Sequence, residues 1–174
     1  MARRVFYSFH YKPDNWRAAK VRSIGAIEGN KPASDNDWEK ITADGPDKDA
    51  RIKKWIAEQL DGKSCTVVLI GANTAGRKWI NHEINKTWDD KKGVVGVYVH
   101  NLLDVDSKQS SKGPNPFDSI DYGKTGKYGK TGKKLSSIVK AYDPPYTTST
   151  SVYDYISNNL AGWIDEAIRI RGNN

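Results

Sequence analysis

A chain of 174 residues and 19.5 kDa, with 37% hydrophobic and 28% charged side chains, fits one domain better than two. Its longest apolar runs, Cys65–Ile70 and residues 94–99, fall far short of the roughly 18 to 20 residues a membrane-spanning helix needs, so no membrane partner is expected. The formal charge of +7 invites a nucleic-acid reading. The excess is spread along the chain, however, and concentrates only in residues 124–134, which hold five lysines and no acid, so nucleic acid is not the expected partner.

The amino terminus passes from Met1-Ala2-Arg3-Arg4 straight into Val5-Phe6-Tyr7-Ser8-Phe9. It has no apolar signal core, and the expected location is the cytoplasm. Residues 5–9 are β-branched and aromatic, as in a central strand. Pro13 ends the pairing, and Asp14 or Asn15 is positioned to cap a helix over about residues 16–23. Residues 24–28 suggest a weak second strand, and residues 29–46 read as a long polar connection broken only by Trp38 and Ile41.

From Asp47 to Leu60 the apolar residues Ile52, Trp55, Ile56 and Leu60 recur at helical spacing, with acids in the first turn and Gly62 just past the end. Residues 64–70 form a continuous apolar run of the kind found in a strand covered on both faces, and residues 93–99 repeat it. Between them a helix is expected over about residues 77–91. Cys65 is the only cysteine, which excludes an intrachain disulfide and a cysteine-built zinc cage. His10, His82 and His100 stand too far apart for a local metal motif, so no metal and no resident cofactor are expected.

Residues 101–150 break the rhythm with Gly113-Pro114-Asn115-Pro116, the lysine stretch and Pro144-Pro145. They read as an insertion in the same domain, with a short edge strand near residues 137–141. A last helix over about residues 152–171 carries one apolar stripe through Val152, Ile156, Leu160, Trp163, Ile164, Ala167 and Ile168. The alternation of strands and helices implies right-handed crossovers and a doubly wound, mostly parallel sheet of about five strands with helices on both faces.

Such sheets bind ligands at the carboxyl ends of their strands. No Gly-x-Gly-x-x-Gly follows the first strand, no phosphate loop of the flavodoxin type replaces it, and no aspartate ends the run at Ile70. Gly-Lys-Thr occurs twice, at Gly123 and Gly129, but Asp118 and Lys124 stand where a phosphate loop requires its first glycine. The strongest single clue lies in the helix after the second apolar run. At about 100° per residue, Trp79, Glu83, Thr87, Ile80 and Ile84 share an arc of about 140°, so a carboxylate enters the inward-facing side near the predicted crevice.

Four blocks in order, Arg4-Val-Phe-Tyr-Ser-Phe-His-Tyr11, Val68-Leu-Ile-Gly71, Arg77-Lys-Trp-Ile-Asn-His-Glu-Ile84 and Ser111-Lys-Gly-Pro-Asn-Pro-Phe-Asp118, resemble Toll/interleukin-1 receptor (TIR) domains. More closely, they are similar to the TIR-like subunits of the Thoeris anti-phage system. The resemblance implies a single TIR-like domain of flavodoxin-like fold and an NAD+ glycohydrolase or ADP-ribosyl cyclase. NAD+ would be substrate rather than cofactor, Glu83 the catalytic carboxylate, and Ser8, Phe9, His10, Tyr11, Trp38 and Trp79 would line the substrate. It further implies a viral trigger, self-association, and an effector reached through a diffusible cyclic ADP-ribose isomer. The chemistry is plausible without a metal, because nicotinamide leaves as a neutral molecule and a carboxylate stabilises the oxocarbenium-like centre it leaves behind. Two other readings stand beside it: a non-catalytic TIR interaction module, and a basic nucleic-acid-binding domain acting through residues 124–134.

Overall fold

Two uninterrupted apolar runs set the architecture. In the computed structural model, which describes residues 3–24, 45–122 and 133–174, every residue of β2 (Cys65–Ile70) and β3 (Gly93–Tyr98) is buried. They form the middle of a four-stranded parallel sheet, flanked by β1 (Val5–Ser8) and β4 (Ala141–Tyr142) in the order β1-β2-β3-β4. Of the fifth strand expected at residues 24–28, Ile24 is described and is not in a strand. The rest of it, like Trp38, lies outside the described residues.

Because side chains alternate across a strand, each strand divides its residues between two cores. Val5, Tyr7, Cys65, Val67, Leu69, Val95 and Val97 pack with α1 (Tyr11–Arg22) and α4 (Ser149–Gly172). On the other face, Phe6 packs with Ile52, Ile56 and Leu60 of α2 (Lys48–Leu60), while Val68, Ile70, Val94 and Tyr98 pack with Ile80, Ile84 and Trp88 of α3 (Lys78–Asp89). Helices therefore cover both faces. Ser8 is two residues beyond Phe6, so the same alternation turns it toward α3, and it pairs in register with Val68.

α1 differs from the sequence expectation. It starts at Tyr11 with His10 as its N-cap, not near residue 16, and Pro13 lies inside its first turn. Proline is accepted there because the first amides of a helix have no intrahelical acceptor, and the first helical bond runs from Asp14 N–H to the His10 carbonyl at 3.1 Å. Asp14 is not a cap either: it is 1% exposed and accepts a hydrogen bond from Arg17 Nη1 at 2.8 Å. Arg17, 2% exposed, also donates to the carbonyls of Leu102 at 2.8 Å, Lys108 at 2.9 Å and Pro13 at 3.1 Å. One buried guanidinium thus ties the loop after β3 to α1.

The edge strand is β4 rather than residues 137–141, because Leu135–Ser137 turn into a short 3-10 helix that buries Leu135. A second such turn, Pro116–Ser119, is capped by Asn115, whose Oδ1 accepts from Phe117 N–H at 2.9 Å. Phe117 is fully buried. Upstream, Gly113 crosses the end of β2 so closely that a Cβ there would collide with the carbonyl oxygens of Gly71 and Ala72.

Candidate active site

The site is built where β1 ends against α3. Ser8, the last residue of β1, points its hydroxyl at Glu83 and donates to Oε2. Neither residue has any exposed surface. The other carboxyl oxygen, Oε1, is buried and has no hydrogen-bond partner among the described residues. Burial disfavours the charged carboxylate and pushes the pKa of Glu83 up to about 8, with the Ser8 hydroxyl pulling partly the other way. Ser8→Ala is therefore expected to raise the Glu83 pKa further, and a carbon-13 titration of the side-chain carboxyl checks the direction.

The helix is held in rotation as well as in place. Thr87 Oγ1 donates to the Glu83 carbonyl at 2.7 Å and lies 2.7 Å from Thr66 Oγ1 on β2. A hydroxyl has one proton to give, so Thr66 is the donor in that pair. The two hydroxyls and the carbonyl concerned are buried between sheet and helix, where a lost bond costs about 1–3 kcal/mol. The pair fixes which face of α3 meets β1.

The loop between β2 and α3 sets the helix start. Gly71 N–H donates to Thr74 Oγ1 at 2.8 Å, closing the turn after β2, and Gly76 at φ +81° adopts a backbone conformation open to glycine. Arg77 follows as the N-cap of α3, and the first turn of that helix carries no acid. Its Nε is buried without a hydrogen-bond partner among the described residues, as is Oδ1 of Asn81 one turn later.

The remaining residues singled out from the sequence separate. Phe9 is 3% exposed and packs in the α1 and α4 core, with the Tyr11 ring stacked on it at 6.3 Å; both lie on the face of the sheet opposite Glu83. His10, half-buried at the start of α1, has an unpartnered buried Nδ1. Burial, then the nearby charges of Arg77 and Lys12, holds its imidazole below the usual histidine range. Trp79 is 8% exposed and packs with Phe6 and with Ile52, Ile56 and Leu60 of α2, its ring edge-on to His82 at 5.7 Å. Arg77 and Asn81 are not singled out by sequence reasoning; both stand inside the block Arg77-Lys-Trp-Ile-Asn-His-Glu-Ile84, but nothing in their spacing marks their polar atoms as buried. Among the described residues no group of three or more His, Cys, Asp or Glu side chains is arranged to hold a metal, and no helix is long and apolar enough to cross a membrane.

Comparison with known proteins converges on one family. Residues 6–104 match the model of the family described as Thoeris protein ThsB, TIR-like domain. Over 140 residues the chain is 34% identical to a Bacillus cereus (strain MSX-D12) protein named "Putative cyclic ADP-D-ribose synthase ThsB1", an alignment that covers 78% of this chain and 69% of that protein. The doubly wound parallel sheet with helices on both faces is the fold this match calls for: the chain belongs to the ThsB TIR-like domain family.

Proposed function

We propose that this chain is a TIR-type enzyme of anti-phage defence that breaks the nicotinamide–ribose bond of NAD+ and releases a cyclic ADP-ribose isomer as a signal. The observation that carries the reading is the Glu83 carboxyl, with one oxygen engaged by Ser8 and the other without a partner among the described residues. Family membership and the name of the Bacillus cereus relative support it.

In the reaction the electrons of the C1′–N bond pass to the pyridinium ring, nicotinamide leaves neutral, and positive charge develops on C1′ and the ring oxygen. Glu83 faces that charge through Oε1 as a carboxylate. Attack on C1′ by a hydroxyl of the same ADP-ribose closes the ring, and Glu83 takes the hydroxyl proton. Attack by a ring nitrogen closes it without proton transfer, and attack by water gives linear ADP-ribose. Excluding water from the site favours closure. A viral component sets off the reaction, and the diffusible product reaches a separate effector.

Lysates of phage-infected cells carrying the parent chain are expected to contain free nicotinamide and a product at the mass of cyclic ADP-ribose; lysates carrying Glu83→Gln are expected to contain neither. Mass spectrometry of filtered lysates, with and without infection, makes the comparison. Absence of product from the parent under several phages would return the domain to the interaction-module reading.

A further inference from the structure

Apolar packing presses α3 onto the sheet without fixing where along it the helix sits, because the hydrophobic effect is non-directional. Hydrogen bonds are directional, and two of them join sheet side chains to the buried row of α3: Ser8 to Glu83, and Thr66 to Thr87 at 2.7 Å. None of the four residues has any exposed surface. Ser8 pairs in register with Val68 and Phe6 with Thr66, so the two contacts stand two residues apart along the strands, about 6.6 Å at roughly 3.3 Å per residue. Glu83 and Thr87 stand four residues apart along α3, about 6 Å at 1.5 Å per residue, and within about 40° of one another around the axis. One turn of the helix thus matches two residues of strand, with α3 running against the strand direction.

We propose that Thr66 and Thr87 are positioning residues for Glu83, forming the second of two points that set the register of α3 on the sheet; the inference rests on the role given to Glu83 above. A bond at Ser8 alone leaves the helix free to turn about that point, and a second bond one turn further on removes the freedom. Thr87 joins the two points internally, since its Oγ1 also donates to the Glu83 carbonyl at 2.7 Å. The hydroxyl of Thr66 on β2 therefore grips an atom bonded to the residue that carries the carboxyl. The Thr87 carbonyl accepts from Lys92 N–H at 3.1 Å, which ties the same residue to the turn leading into β3. A slip of one residue along α3 turns the carboxyl by about 100° and takes it from Ser8. Being fully buried, the threonines act through Glu83 and not on substrate, and a displacement of about 1 Å at a reacting group lowers a rate about hundredfold.

The test joins Thr66→Val to Thr87→Val, which removes both hydroxyls together and strands neither, so that stability stays near that of the parent. In the purified double variant kcat for nicotinamide release from NAD+ is expected to fall about ten- to hundredfold with KM held within about twofold. As the carboxyl draws away from Ser8, its carbon-13 titration is expected to move to higher pH, the resonance being assigned by its absence from Glu83→Gln. Thr87→Ser keeps the hydroxyl and is expected to keep most of kcat. If the double variant does not fold, Thr66→Val alone, which leaves the bond from Thr87 to the Glu83 carbonyl in place, is read in the same way with a smaller shift. A carboxyl titration that stays or moves to lower pH overturns the positioning role even if the rate falls, and so does an equal loss of kcat in Thr87→Ser. Failure of the parent chain to release nicotinamide overturns the reaction reading instead, and the titration then decides the positioning by itself.

Discussion

At about pH 9 the Glu83→Gln variant is expected to melt at a higher temperature than the parent chain, while its release of nicotinamide from NAD+ falls about a hundred- to a thousandfold. Both effects come from the same carboxyl. In the unfolded chain Glu83 titrates near its ordinary value of 4.5, and in the folded chain near 8. Between those values the folded state holds a proton that the unfolded state has released. The contribution of this group to stability is thus fully present below pH 4.5 and is lost as pH rises toward 8. At about 1.4 kcal/mol per pKa unit the loss is on the order of a few kcal/mol. Glutamine has nearly the shape of the protonated acid and does not titrate, so the stability difference between the two proteins should be small near pH 4, widen through neutrality and level off above pH 8. Thermal or urea melts across that range check it, and parallel pH slopes in the two proteins would contradict the burial of Glu83. Catalysis has the opposite dependence. In the proposed reaction the carboxylate is the reactive form, so kcat/KM of the parent should climb with pH toward a plateau above 8.

Arg17→Met should cost about 3–5 kcal/mol in urea denaturation, because it strands a buried charge. Asp14 loses the guanidinium that engages its Oδ1 at 2.8 Å, and its Oδ2 already has no partner among the described residues. Burial raises the Asp14 pKa and Arg17 opposes that rise, so the single variant leaves a carboxyl that protonates. The carbonyls of Leu102 and Lys108 lose their donor as well. Joining Asp14→Asn to Arg17→Met should recover a substantial share of the loss, since a neutral amide beside an apolar chain carries no stranded charge. Additive losses in the double variant would mean that the two residues do not act as a pair.

These two sites mark the boundary of what the amino-acid order discloses. β2 and β3 are readable because a strand covered on both faces needs an unbroken apolar run, and Cys65–Ile70 and Gly93–Tyr98 supply it. α3 is readable because Trp79, Ile80, Glu83, Ile84, Thr87 and Trp88 all fall on its buried side. α1 is not, since its buried positions include Asp14, Arg17 and Arg22, residue types that ordinarily mark a solvated face; Arg17 is satisfied there by a carbonyl 85 residues away. The Ser8 to Glu83 bond spans 75 residues and could be suspected from the sheet topology but not located. Arg77 and Asn81 carry no periodic signal, and only the unpaired state of their buried atoms brings them forward.

Arg171 closes the far end of the helix that bears Glu83: its Nε donates to the Trp88 carbonyl at 2.9 Å, and its guanidinium lies 4.3 Å from the centre of the Trp88 ring. In synthesis these partners emerge 83 residues apart, an interval of roughly 4 to 17 s at about 5–20 residues per second. Throughout it the sheet face that α1 and α4 share has only α1 to cover it, and α3 lacks its last anchor. A ribosome stalled before residue 149 therefore holds a chain with Ser8 and Glu83 already made but with six of the nineteen buried residues of the core beneath α1 and α4 missing, so translation order itself delays the assembly of the site until the last helix arrives.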